Sequence, residues 1–478
     1  MESLFAAGAS PYWPLAVLAI CMALVIFLIT VARLHAFIAL ILAAIAAGLL
    51  APAGSLPGET PGASHWVHAV ELTTSEFGLT AGKIAVVIAL ASVISMCLME
   101  SGAADKVVRR FLAIFGERRA GAAILISGYI LSIPIFFDTF FMLLLPLARA
   151  LCLRTGKDYL LYVMAICCSG AVTHSMCAPH PGPLAMAEVL HVDLGLSIIV
   201  GVAVGIVPVA ASWAVAKWIN ARMTVPMRDT PGVTLDDLRA IINQAEDELP
   251  SFFWSILPVI LPILLISLAS AFAASPLPPD QRPVWHAMIA FAGNRNVALL
   301  IGAAIAIGVL MRQRRITLAR VNEMIGPPLA TAGVIILITS AGGAFGLMLK
   351  NAGVGEAVKQ AAAGHNVNLV LLAWTVAAVI RIAQGSATVA MLTTAAMVYP
   401  LMTGAALPHH PIYIFLAIGF GAMICSWMND SGFWVVGKLS GFTEKETLKS
   451  WTVVVTVNSV VGLLATLVLS LVLPFAAN

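Results

Sequence analysis

The sequence predicts an all-α polytopic membrane protein. It is expected to hold two inverted repeats of five transmembrane helices plus one re-entrant hairpin each, with broken helices at the site. Three observations carry this. Of 478 residues, 60% are hydrophobic and 10% charged, whereas a soluble domain carries about 25% charged residues. A single threading puts 20 of the 26 Lys and Arg residues on one side of a bilayer, as expected of cytoplasmic loops. Two apolar regions, 120–150 and 367–402, have polar or Pro/Gly-marked centres and do not read as simple spans.

Runs of roughly 17–25 apolar residues can cross a bilayer. In order they are 14–32, 36–52, 84–100, 159–187, 197–217, 251–275, 297–311, 327–349, 411–437 and 451–473. The stretch "MESLFAAGASPYWP" lacks the basic start of a cleavable signal, and the first run leads straight into the second. With Arg33 cytoplasmic, alternation puts 106–119, 217–250, 312–320 and 438–450 inside. The far flank of 120–150 carries Arg149, Arg154 and Lys157, so both ends of that region lie inside. Its first arm, Gly121 to Ile133, has 13 residues, about 20 Å of helix. That is too short for a hydrocarbon core of about 30 Å. The segment therefore enters and returns, with "PIFFDT" (Pro134 to Thr139) at its tip. Lys83, Arg282, Arg295, Lys350 and Lys359 fall outside, and Arg381 falls within the membrane. The second interrupted region, flanked by His365, His409 and His410, starts and ends outside.

The organisation follows. Residues 14–217 form the first repeat, with hairpin 120–150 and broken helix 159–187. Residues 218–250 form a charged cytoplasmic linker. Residues 251–473 form the second repeat, with hairpin 367–402 and broken helix 411–437. Five spans is an odd number, so the second repeat enters with opposite orientation. "MESGAADKVV" (Met99 to Val108) resembles "KNAGVGEAVK" (Lys350 to Lys359), and "IPIFFDT" falls where "IRIAQGS" falls. The seven cysteines, with no CxxC pair, read as small buried apolar residues.

The interruptions hold the chemistry. Polar groups at membrane depth persist only when buried in protein or lining a watery cavity. In "RIAQGSATVA" (Arg381 to Ala390), a guanidinium in the bilayer costs on the order of 3 kcal/mol and needs a partner. Gly385 permits a tight turn, and Ser386 and Thr388 supply hydroxyls. A helix starting just after the turn aims N–H groups and a positive dipole end at the site, which suits an anion. The competing reading pairs Arg381 with a structural carboxylate, Asp138 or Asp430. In "THSMCAPHPGPLA" (Thr173 to Ala185), Pro179, Pro181, Pro183 and Gly182 must break the helix. His174 and His180 lie beside this break, where His180 either binds substrate or titrates, or is a satisfied structural residue. In "CSWMNDSGFWV" (Cys425 to Val435), Asn429, Asp430, Ser431 and Gly432 form a polar cluster. Asp430 there is a functional carboxylate, a cap for the second half-helix, or both. Asp138 is the other candidate carboxylate. Phe136, Phe137, Phe140 and Phe141 read as packing, and Glu100 and Glu188 as interfacial residues.

"RIAQGSATVA", "PHPGP", "NDSGFW" and "AGGAF…AGVG" (Ala341 to Gly355) together resemble the gluconate permease (GntP) family of the ion transporter superfamily. The likeness spans roughly residues 14–473. Asp138, Thr139 and Phe140 stand where the family often has Glu, a small residue and Gly, and Ala178 replaces a usual proline. The resemblance implies proton-coupled uptake of gluconate or a related small hydroxy-carboxylate by an elevator-like movement. It also implies a homodimer in a bacterial inner membrane, with both termini periplasmic on the threading above. In this reading Arg381 with the Gly385, Ser386 and Thr388 tip holds the carboxylate. Asn429, Ser431, Thr139 and Gln384 meet hydroxyls, and His180 and Gly182 border the site. Asp138, His180 or Asp430 carries the proton, with Na+ the alternative coupling ion. No other cofactor, metal or nucleic-acid partner is expected. The alternatives are a permease for D-serine or another small carboxylate, and a cation/proton antiporter, whose site would not need Arg381. No HExxH or GxSxG motif supports an enzyme.

Overall fold

The structure is a computed structural model that describes residues 13–60, 64–116, 119–228, 248–273, 283–354, 356–357, 368–404, 407–428 and 430–473. Among these residues every regular element is helical. Seven helical stretches are long and apolar enough to cross a membrane. Before the linker come α1 (Trp13–Thr30), α2 (Ala36–Leu50), α3 (His65–Glu100), α4 (Ala103–Phe115), α5 (Ala120–Leu131), α6 (Phe137–Thr155), α7 (Tyr159–Met176), α8 (Pro181–Val189) and α9 (Leu194–Arg222). After it come α10 (Phe252–Ala273), α11 (Val284–Ala292), α12 (Arg295–Arg314), α13 (Leu318–Asn351), α14 (Leu369–Gln384), α15 (Ala387–Gly404), α16 (Ile412–Gly421), α17 (Ser431–Ser440), α18 (Glu444–Thr447) and α19 (Val453–Val472). Most of the linker, 229–247, lies outside the described residues, as does His365.

Several elements differ from their sequence expectation. The expected span 84–100 is the second half of α3, which has 36 residues. Glu71, Glu76 and Lys83 lower the hydropathy of its first half, yet Glu and Lys are good helix formers and do not end a helix. Likewise 327–349 belongs to a 34-residue α13 that starts at Leu318 and runs through Pro327 and Pro328. The basic stretch after α3 is the helix α4, which buries Ala103, Ala104, Val107 and Val108. Positions i, i+3 and i+4 share one helix face, so an apolar stripe coexists with Asp105, Lys106, Arg109 and Arg110 on the same helix. The short α11 was not anticipated at all.

Both interrupted regions are helix–turn–helix units. α5 stops at Leu131 and α6 starts at Phe137. They face each other across Gly128, where an added Cβ would lie 3.1 Å from the Phe140 ring. α14 ends against Gly385, whose φ of 84° is left-handed and whose N–H bonds Arg381 O. A residue with a Cβ is strained there, so glycine is what lets α15 start two residues later. Two further interruptions follow: α7 ends at Met176 and α8 starts at Pro181, and α16 ends at Gly421 and α17 starts at Ser431. Their packing crosses over. α8 lies on α15, the second arm of the later hairpin, while α17 lies on α6, the second arm of the earlier one. Every residue of α16 is buried, and α13 packs along α2, α3 and α15.

Candidate functional site

The four interruptions meet around one cavity of about 270 Å³. Its wall holds Phe136, Phe137, Asp138 and Thr139 from the start of α6, and Ser386, Ala387 and Thr388 from the start of α15. Asp430, Ser431 and Gly432 at the start of α17 complete the polar rim, with Pro181 at the start of α8. Thr331 and Ile335 of α13 and Trp451 also face it. Helix starts carry unpaired N–H groups and a positive dipole end. Because α6, α15 and α17 all begin here, the cavity suits a negative group. α8 contributes less, since Pro181 and Pro183 have no N–H to offer.

Arg381 sits at this rim and is 4% exposed. Its Nη2 donates to Asp430 Oδ2 at 2.5 Å. Asp430 also accepts from the Gly432 N–H at 3.1 Å and from the Ser426 hydroxyl. Trp451 Nε1 in turn donates to Ser426 Oγ at 2.6 Å, and the Trp451 ring lies 5.1 Å from that of Phe137. Asp430 therefore caps α17 and pairs with Arg381, the contact named by the competing reading of Arg381. A buried pair is tolerable only when its remaining groups are satisfied. Here Asp430 is saturated, but Arg381 Nε and Nη1 have no partner among the described residues. Asp138 is exposed at the cavity and makes no ion pair with a described residue.

Of the residues expected at the site, Arg381, Ser386, Thr388, Thr139, Asp138, Asp430 and Ser431 line the cavity. Gly385 shapes the turn between the two helices. His180 is placed behind the wall rather than in it: it is 2% exposed and its Nε2 bonds Ser132 O at 2.7 Å. The histidine at the cavity is His174, one turn before the break, with its ring 5.0 Å from that of His180. Gly182 also lies outside the wall. A Cβ there would meet Met391 Cε at 2.2 Å, so this glycine serves the close approach of α8 to α15. The side chain of Gln384 and all of Asn429 lie outside the described residues. Sequence reading missed Ser175, Thr331 and Trp451. Ser175 is adjacent to His174, and its Oγ is buried without a partner among the described residues.

Interrupted membrane helices that bring their starts to a shared polar cavity define a membrane carrier for a small solute. The chain belongs to the GntP family of permeases: the model described as "GntP family permease" matches residues 13–472. It is 34% identical to a gluconate permease of Pseudomonas aeruginosa, over 94% of this chain and 95% of that protein. It is 32% identical to the Gnt-II system L-idonate transporter of Escherichia coli K12, over 96% of this chain and 100% of that protein. Among solved structures, it resembles the YdaH transporter of Alcanivorax borkumensis with a TM-score of 0.60. That likeness covers 92% of this chain and 98% of the other at 14% identity, and concerns the fold alone. The chain is a multi-pass membrane permease, not an enzyme.

Proposed function

We propose that this chain imports gluconate or a related small hydroxy-carboxylate together with a proton. The observation that carries the reading is the charge inventory of one cavity. Arg381 and Asp430 balance each other, which leaves Asp138 as the uncompensated carboxylate among the described lining residues. The converging helix starts favour an incoming carboxylate, and an ionised Asp138 opposes it. Substrate and proton are therefore bound best together. The free N–H groups of Arg381 and the starts of α15 and α17 hold the carboxylate. Ser386, Thr388, Ser431, Thr139 and His174 meet the hydroxyls, and Asp138 carries the proton. Relatives named for gluconate and L-idonate support this substrate class.

The same proposal assigns two inverted repeats, 14–217 and 251–473, that exchange access by an elevator-like movement. The recurrence of hairpin then broken helix supports it, as does the crossed packing of α8 on α15 and α17 on α6. The threading gains support from contacts at the two ends. Arg228 binds Glu446 at 2.7 Å and its carbonyl accepts from Arg149, all residues assigned to the cytoplasm. Glu188 pairs with Arg295, placed outside. A homodimer in a bacterial inner membrane, termini in the periplasm, completes the proposal.

The test uses the purified protein in proteoliposomes with an internal pH dye. An inward gluconate gradient should acidify the lumen. Alkalinisation would mean antiport, and uptake that needs Na+ but ignores the proton gradient would replace the coupling ion; either result overturns the proposal.

A further inference from the structure

Away from the transport cavity, an opening of about 470 Å³ lies between α10 and α12. The two helices touch over part of their length. At Gly302 an added Cβ would lie 2.7 Å from Pro262 Cγ and 3.0 Å from Pro258 O. Six residues later, at Gly308, nothing lies within 4 Å. Gly308 lies about 120° round α12 from Gly302 and borders the opening that the two helices enclose, while Pro258 and Pro262 sit inside α10.

The cleft is floored by Ile305, Gly308 and Val309, walled by Trp254 and capped by Arg312 and Gln313. Trp254 is 52% exposed and the neighbouring Phe253 61%. Aromatic rings at a span's end mark the head-group layer of a bilayer. Further along the same helices, Leu264 and Leu300 are exposed, as expected of residues among acyl chains. Gln313 is committed, because its amide nitrogen donates to Glu248 O at 2.6 Å. Arg312 lines the cleft and has no ion-pair partner among the described residues. The cleft thus joins an apolar slot to a guanidinium that no described carboxylate neutralises, beside aromatic rings of the kind that sit at the head-group layer.

We infer that this cleft binds one anionic phospholipid. An acyl chain lies over Gly308 against Trp254, and the phosphate meets Arg312, whose planar fork matches phosphate oxygens. A zwitterionic lipid brings its own cation to the same phosphate, so the anionic lipid is preferred. One basic residue near the surface gives roughly a fivefold preference. The inference needs only a multi-pass membrane protein and is independent of substrate and coupling.

The full-length protein is reconstituted in nanodiscs of phosphatidylcholine with or without phosphatidylglycerol. Retained lipid is counted by native mass spectrometry, and thermal midpoints are read alongside. The wild type should retain phosphatidylglycerol over phosphatidylcholine about fivefold and gain a few degrees from it. Arg312→Gln should lose the preference, and Arg312→Lys should keep most of it. Gly308→Leu fills the slot without changing charge and should lose both lipids. Wild-type preference in Arg312→Gln, or wild-type retention in Gly308→Leu, would overturn the site. Equal stabilisation by inorganic phosphate in detergent would overturn the lipid as its occupant.

Discussion

Hairpin α5–α6 turns through Ser132 to Phe136 and presents Asp138 exposed and without an ion pair to a described residue. Hairpin α14–α15 turns through Gly385 and Ser386 and holds Arg381 locked on Asp430. The two tips share one cavity yet treat their charges oppositely. A charge that must stay fixed through a transport cycle is well served by a buried, capped, saturated partner. A charge that must change with each cycle needs access to water and no permanent counter-ion. On the proposed function, this contrast fits a constant role for Arg381 and a variable one for Asp138.

The sharpest way to break this comparison is to separate the two roles of Arg381. Arg381→Gln leaves Asp430 buried without its cation, a loss on the order of 3–5 kcal/mol. Uptake should fall by at least about thirtyfold, because a truncated buried charge contact costs about 2–5 kcal/mol in binding as well. Adding Asp430→Asn should restore thermal stability toward wild type, since no unpaired charge remains. Uptake should stay absent in that double variant if Arg381 holds the substrate. Recovery of transport with stability would show the pair to be structural only.

Asp138 should give a smaller and different effect. Asp138→Asn removes the carboxylate that opposes the anion, so substrate exchange down its own gradient should persist within about tenfold. Lumenal acidification should disappear, and so should the rise of uptake at low external pH. Stability should change by less than about 1 kcal/mol, as expected for an exposed site. Proton-driven accumulation at the wild-type level in this variant would move the coupling group elsewhere.

The helix–turn–helix interruptions were legible because proline and glycine inside apolar sequence end helices, and buried charge there needs protein or water around it. Asp430 as a cap was legible from the short Asp-Ser-Gly run alone. Its pairing with Arg381 was not, because the two lie 49 residues apart and Asp138 competed on equal terms. Choosing between His174 and His180 needed the direction in which α7 breaks, which no residue pattern encodes. Trp451 was read as the start of a span, yet Ser426, behind the cavity, receives its N–H. The first half of α3 escaped because hydropathy and helicity are separate properties, and its charged residues lower only the first.

The backbone of the two turns offers the finest distinction. Gly385, at φ 84°, closes the later hairpin, whereas no residue from 132 to 136 has a positive φ. Left-handed backbone with a Cβ costs about 1–2 kcal/mol. Gly385→Ala should therefore lower the stability of the purified protein by about that amount. Because Arg381 O accepts the Gly385 N–H, the strain falls on the residue that holds Asp430, and the apparent KM should rise several-fold with little change in maximal rate. Ser132→Ala, in the other turn, should move KM by less than about twofold, since the Ser132 hydroxyl bonds Thr173 behind the cavity. Equal KM shifts in the two variants would remove the division of labour between the tips. A shift confined to Gly385→Ala would place the substrate's carboxylate on the side of the later hairpin.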